Sequence, residues 1–208
     1  MTLSLRDFKR SLTEQTIVEK AMALFQQHGF AQVSVRQIAK ASLVSEKTVF
    51  NYFPYKELIV LAGNQQSLAE LMDAVQAEID NIAEPTAVLH KFVTDLAEWC
   101  AANPEAARII ISELLSPDPQ RLAGAVRSLP DFYNPIRTVI TLARAQGKLR
   151  PEVGVEYATD FFLSNVFNVL RTHGAGENVD RMRGMLNATL EIFLHGAFTQ
   201  TAPDWSPR

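Results

Sequence analysis

Between Ser34 and Lys56 the chain gathers side chains that hydrogen-bond or carry charge, Ser34, Arg36, Lys47, Thr48, Asn51, Tyr52 and Lys56, with the aromatic Phe50 among them and rather few that bury. Each has a natural counterpart on duplex DNA. The Arg36 guanidinium can grip guanine with two hydrogen bonds, Asn51 favours adenine, Lys47 favours guanine, and Phe50 can press on a thymine methyl. Ser34, Thr48, Tyr52 and Lys56 suit phosphate oxygens, and Lys56 gains from the helix start beside it. Glu46 would repel phosphate, so it either meets a cytosine amino group or points away.

Two short helices at a tight turn position this set. Ser34 caps the first, and Gln37 three residues on completes a capping box; Val35, Ile38 and Ala39 then share a face. Ser45 caps the second, which lasts barely two turns because Pro54 lacks an N–H and pushes Phe53 away from helical geometry. Val49 and Phe53, four apart, form its inner face. A helix-turn-helix accounts for so slim and polar a second helix, since that helix must enter a major groove. Two amphipathic helices of an ordinary bundle would show the same spacing.

The stretch Ile17 to Leu58 carries Ala-Leu-Phe-x-x-x-Gly-Phe, Val-Arg-x-Ile-Ala, Val-Ser-x-x-Thr-Val-Phe-x-Tyr-Phe and Lys-Glu-Leu. It resembles the DNA-binding domain of TetR-family transcriptional repressors. The resemblance implies a DNA-binding dimer, with base contact at the position of Arg36 and phosphate contacts at those of Ser34, Thr48, Tyr52 and Lys56. Two positions depart from the family pattern: Leu43 stands where glycine is usual at the turn, and Lys47 where glycine or arginine is frequent. A leucine there is expected to strain the turn or alter its geometry.

The 208 residues suffice for one large or two small domains. The chain is 47% hydrophobic and 21% charged, as soluble globular proteins are. No apolar run approaches the roughly 20 residues of a membrane span, and no signal-peptide core opens the chain, so a cytoplasmic location is expected. Cys100 is the only cysteine, which excludes an internal disulfide. The net charge of −3 is unevenly spread: residues 1–60 hold eight Lys and Arg against five acids, leaving −6 for the rest. A basic head on an acidic body suits a protein whose head alone meets phosphate.

The expected architecture is all-α. Residues 1–10, with Arg6, Lys9 and Arg10, read as a flexible arm; such arms can reach a minor groove. Ser11 and Glu14 offer a cap for a first helix that Gly29 ends, so residues 11–56 make a three-helix head. Lys56 to Asn81 reads as one long helix joining the head to a larger helical domain over 57–198, with a flexible tail at 199–208. Asn103-Pro104 reads as a helix start with Asn103 as N-cap. A pattern from Arg121 to Gln146 must bend or break at Pro130 and Pro135. The last two helices, about Val155–His173 and Asp180–Phe198 with Gly174 and Gly176 between them, carry apolar arcs too wide for one contact. Their second sides are read as a dimer interface of Leu163, Phe167, Leu170, Leu186, Leu190 and Phe193, two helices from each subunit forming a four-helix bundle.

No enzymatic constellation assembles. The histidines (His28, His90, His173, His195) are scattered, and there is neither a metal-ligand spacing nor a phosphate-binding glycine loop. His90, Glu98 and Glu113 could meet as a metal site in a bundle, but random helical faces produce such sets often. No cofactor is expected. The body is larger than a dimer contact needs, and a TetR-like body binds a small molecule; Phe92, Trp99, Phe132, Phe162 and Asn165 are its candidate contacts, Asn165 because an amide within an apolar arc needs a partner. The expectation is therefore a homodimeric repressor on a pseudo-palindromic operator, released by a small-molecule effector through the long helix. A helical ligand carrier or enzyme without DNA binding, and a DNA-binding dimer that needs no ligand, are the alternatives.

Overall fold

Apolar spacing at threes and fours becomes helix throughout the described residues, 4–81, 84–173 and 179–197, of the computed structural model. The described elements are α1 (Leu5–His28), a short 3-10 turn, α2 (Val35–Ala41), α3 (Glu46–Tyr52), α4 (Glu57–Asp80), α5 (Pro85–Ala102), α6 (Pro104–Leu114), α7 (Pro119–Ser128), α8 (Tyr133–Ala145), α9 (Val155–His173) and α10 (Val179–Ala197). No strand is among them. The expected tail, the first three residues of the expected arm, Gly174 and Gly176 lie outside the described residues.

Local signals set most boundaries. Gly29, at φ 78°, ends α1. Pro119 opens α7 behind Asp118, whose carboxylate accepts from the Gln120 amide at 2.9 Å. The expected long pattern breaks at Leu129–Pro130, and Pro135 falls in the first turn of α8, where its missing N–H costs nothing. One expectation needs correction. The arm is helical from Leu5, because Ser4 rather than Ser11 caps α1: its hydroxyl accepts from the Asp7 amide at 3.2 Å and donates to the Asp7 carboxylate at 2.6 Å. Asn103 stands, as expected, just before Pro104 at the start of α6, where its carbonyl accepts from the Ala107 amide at 2.8 Å; it also closes α5, its side-chain amide donating to the Trp99 carbonyl at 3.0 Å.

Contacts divide the chain into two units that do not part at residue 56. One takes Met1–Gln66 together with Ser112–Leu129; the other takes Ser67–Ile111 and Pro130–Arg208. The reason that α7 belongs with the head is a polar and aromatic knot. The Arg121 guanidinium lies 4.4 Å from the Tyr55 ring centre. It holds Glu113 through both ends of its fork, with Nε to Oε2 at 3.0 Å, and has Glu57 at 3.5 Å. The Tyr55 hydroxyl donates to the Arg121 carbonyl at 3.2 Å. Burial, and then the Glu113 carboxylate, push the Tyr55 phenol above its usual range. Glu113 is 4% exposed, so that arginine takes the place of water around its carboxylate. Gly124 completes the knot, since a Cβ there would come within 2.5 Å of the Tyr55 oxygen.

The second unit has its own core, in which Leu71, Val75, Leu89, Phe92, Ile140, Phe162, Val166, Leu186, Leu190 and Phe193 are buried together. Helix α10 packs on α5 and α9, and α8 on α9 and α5. Cys100 lies in this core, where burial pushes its thiol up to about 12 and leaves it unreactive at neutral pH.

Candidate DNA interface and the apolar face of the last two helices

The helix pair is built as its caps require. The Ser34 hydroxyl accepts from the Gln37 amide at 3.3 Å while the Gln37 side chain accepts from the Ser34 amide at 2.8 Å. Ser45 accepts from the Thr48 amide at 3.0 Å, and the two hydroxyls are 2.8 Å apart. Ile38, Ala39, Val49 and Phe53 are buried behind. Between the helices Leu43 takes the left-handed backbone, φ 56°, with its side chain 93% exposed. The expected strain is therefore real, and the chain accepts it to close the turn through the Val44 amide on the Ala39 carbonyl at 3.0 Å.

Burial behind α3 leaves Arg36, Lys47, Phe50 and Asn51 exposed and Thr48 and Tyr52 half-buried. Neither Arg36 nor Lys47 joins an ion pair among the described residues. Lys56 is different. Its ammonium donates to the carbonyls of Phe30 (2.6 Å) and Val33 (2.7 Å) and sits 4.0 Å from the Phe30 ring centre. These contacts brace the α1–α2 connection, a part the expected phosphate ligand was not assigned. Arg10, expected on a flexible arm, is carried by α1, with its guanidinium 5.8 Å from the Tyr52 ring centre; Ser4 followed by Asp7 was the signal.

The expected effector contacts do not line one described cavity. Phe92 and Phe162 are fully buried, their ring centres 6.2 Å apart, with Phe193 5.0 Å from Phe162. Phe132 stands edge-on to Phe167 at 6.1 Å, and the Trp99 indole donates to the Ser67 hydroxyl at 3.0 Å. Asn165 is half-buried, and its amide donates to the Phe161 carbonyl one turn back at 2.7 Å. The metal candidate fails too: Glu113 is taken by Arg121, His90 lies 3.4 Å from Glu191, and no group of three ligands is within reach of one ion among the described residues.

The dimer residues are corrected as well. Leu163, Leu170, Leu186, Leu190 and Phe193 are buried within the second unit and Phe167 is half-buried, so they are core. The arcs are as wide as expected, but the side left uncovered is another one. Tyr157 and Phe161 on α9 and Met185 and Ile192 on α10 are exposed, Tyr157 and Ile192 by about two-thirds. Along α10 the exposed row runs Gly184, Ala188, Ile192, Gly196, one step every four residues. An open groove of about 290 Å³ lies between the helices, lined by Val153, Tyr157, Phe161, Ile192 and Gly196.

Residues 17–62 match the family model of bacterial regulatory proteins, tetR family, and residues 65–196 match that of the C-terminal domain of TetR/AcrR family transcriptional repressors. The chain belongs to the TetR family. The N-terminal match takes in the α2–α3 helix pair, and TetR regulators bind operator DNA and act as dimers. Among solved structures it is similar to FadR of Thermus thermophilus, a TetR family repressor in complex with lauroyl-CoA. The two are 31% identical, with a TM-score of 0.81 over 93% of this chain and 99% of that one. It is also similar to the repressor AcnR of Corynebacterium glutamicum, 24% identical over 85% of this chain and 93% of that protein. The fatty acid metabolism regulator protein of Bacillus subtilis is 18% identical over 86% and 93%. These relatives are regulators, and no described helix of this TetR member is long and apolar enough to cross a membrane.

Proposed function

We propose that the protein is a cytoplasmic TetR-family repressor that leaves its operator when a fatty acyl-CoA binds its second unit. The likeness to the Thermus thermophilus FadR complex with lauroyl-CoA carries this reading. A body whose centre is the Phe92, Phe162 and Phe193 rings suits an acyl chain, which would enter by displacing them. Two copies pack through the exposed face of α9 and α10, the aromatic rings of one subunit against the small-residue row of the other. Arg36, Lys47, Phe50 and Asn51 read bases, while Ser34, Thr48 and Tyr52 meet phosphate.

A symmetric dimer sets its reading helices roughly 34–36 Å apart. Helix α4 has residues in both units, and a ligand that favours another spacing acts through it. The test is operator affinity, measured by fluorescence anisotropy on duplexes selected by the protein from genomic DNA. Lauroyl-CoA should weaken binding about 5- to 150-fold, whereas coenzyme A or dodecanoate alone should not. An operator affinity indifferent to lauroyl-CoA rejects the ligand assignment.

A further inference from the structure

We propose that the first two turns of α1 form a second DNA contact, in which Arg6 and Arg10 bind phosphates flanking those reached by α3. The inference rests on the DNA-binding reading above and extends it to residues that precede the family match, which begins at residue 17.

Helix formation turns two arginines into a fixed row. Ser4 and Asp7 start the helix ahead of both, and residues four apart lie on one side, separated by roughly 6 Å along the axis. Arg10 is the inner member, beside the ring of Tyr52, the last residue of α3. The row thus continues outward from the reading helix, with Arg6 one turn farther on. Both arginines are exposed, and neither joins an ion pair among the described residues. Asp7, the acid between them, is turned to Ser4. Leu5, Phe8 and Leu12 occupy another side of the helix and do not screen the row.

Charge complementarity and continuity with α3 select nucleic acid as the occupant. A guanidinium offers two parallel donors to a phosphate. A helix-mounted arginine also has less freedom to lose on binding than one on a disordered arm. The contact adds affinity and salt dependence but no sequence preference, since phosphates are the same on every sequence.

The experiment compares the wild type with the Arg6→Gln/Arg10→Gln protein on two probes, a duplex selected by the wild type and a random-sequence duplex, across a salt series. The plot of log affinity against log salt should become shallower by about 3.6 per dimer, about 0.9 for each of four phosphates. Both probes should weaken together, so discrimination between them stays the same. Arg6→Gln alone removes no described contact within the protein and should give about half that change; Arg10→Lys should restore the wild-type slope in an otherwise native chain. A wild-type slope in the double variant, with Asn51→Ala still losing discrimination, overturns the second contact and leaves the DNA-binding reading standing. A wild type that retains no duplex overturns the reading itself.

Discussion

The outer side of α2–α3 and the outer side of α9–α10 are both exposed, yet they are exposed for opposite reasons. The first shows Arg36, Lys47 and Asn51, groups that water solvates well and that give up solvation only to a charged or hydrogen-bonding partner. The second shows Tyr157, Phe161 and Ile192, which water solvates poorly. A polar surface waits for its partner at no cost, so its helix can be seven residues long and held by caps. An apolar surface is stable only when covered, so it is built on two 19-residue helices with a core of their own beneath them.

The largest effect should come from attacking the apolar side. Ile192→Asp places a charge on the uncovered row and should weaken the dimer by about 1,000-fold, a few kcal/mol for burying it unpaired, while circular dichroism remains that of the folded chain. Leu190→Asp, two residues away but in the core, should unfold the unit instead. Sedimentation that finds Ile192→Asp still dimeric would remove α10 from the interface.

Next in size is Asn51→Ala on the polar side. It should lose about 1–3 kcal/mol of discrimination at one base position, with affinity for random DNA unchanged; equal losses on both would demote Asn51 to a backbone contact. Lys56→Ala separates a brace from a ligand. Losing its two hydrogen bonds should lower stability by about 1–2 kcal/mol and leave the salt slope intact. A slope shallower by about 1 per subunit would return Lys56 to the phosphates. The smallest change is Leu43→Gly, which should raise stability by up to about 1 kcal/mol, the left-handed penalty less the glycine's greater freedom when unfolded. A lowered melting temperature would mean that the leucine is held by contacts.

Legibility followed the range of the deciding interaction. Helix α3 was plain because Ser45 and Pro54 lie within a few residues of its ends. The bracing contacts of Lys56 were not legible because its carbonyl partners are 23 and 26 positions earlier, and nothing local distinguishes a bracing lysine from one aimed at phosphate. The α9 and α10 arcs were legible as arcs, but α5 and α8 decide which side is covered, and helical spacing does not record that choice. Asn165 was misjudged for a simpler reason: an amide within a helix can satisfy itself on its own preceding turn.

The knot around Tyr55 bears on how such a chain can be recombined. Its hydroxyl meets a carbonyl 66 positions later, so the DNA-reading half is a discontinuous stretch of sequence. A crossover within α4 would join this head to another parent's α7. Unless that parent also carries glycine opposite Tyr55, the new Cβ arrives within 2.5 Å of the phenol oxygen, and Glu57 loses the arginine beside it unless one is supplied. The inheritable module is therefore Met1–Gln66 with Ser112–Leu129, and chimeras that take both pieces from one parent should fold where single-crossover ones do not.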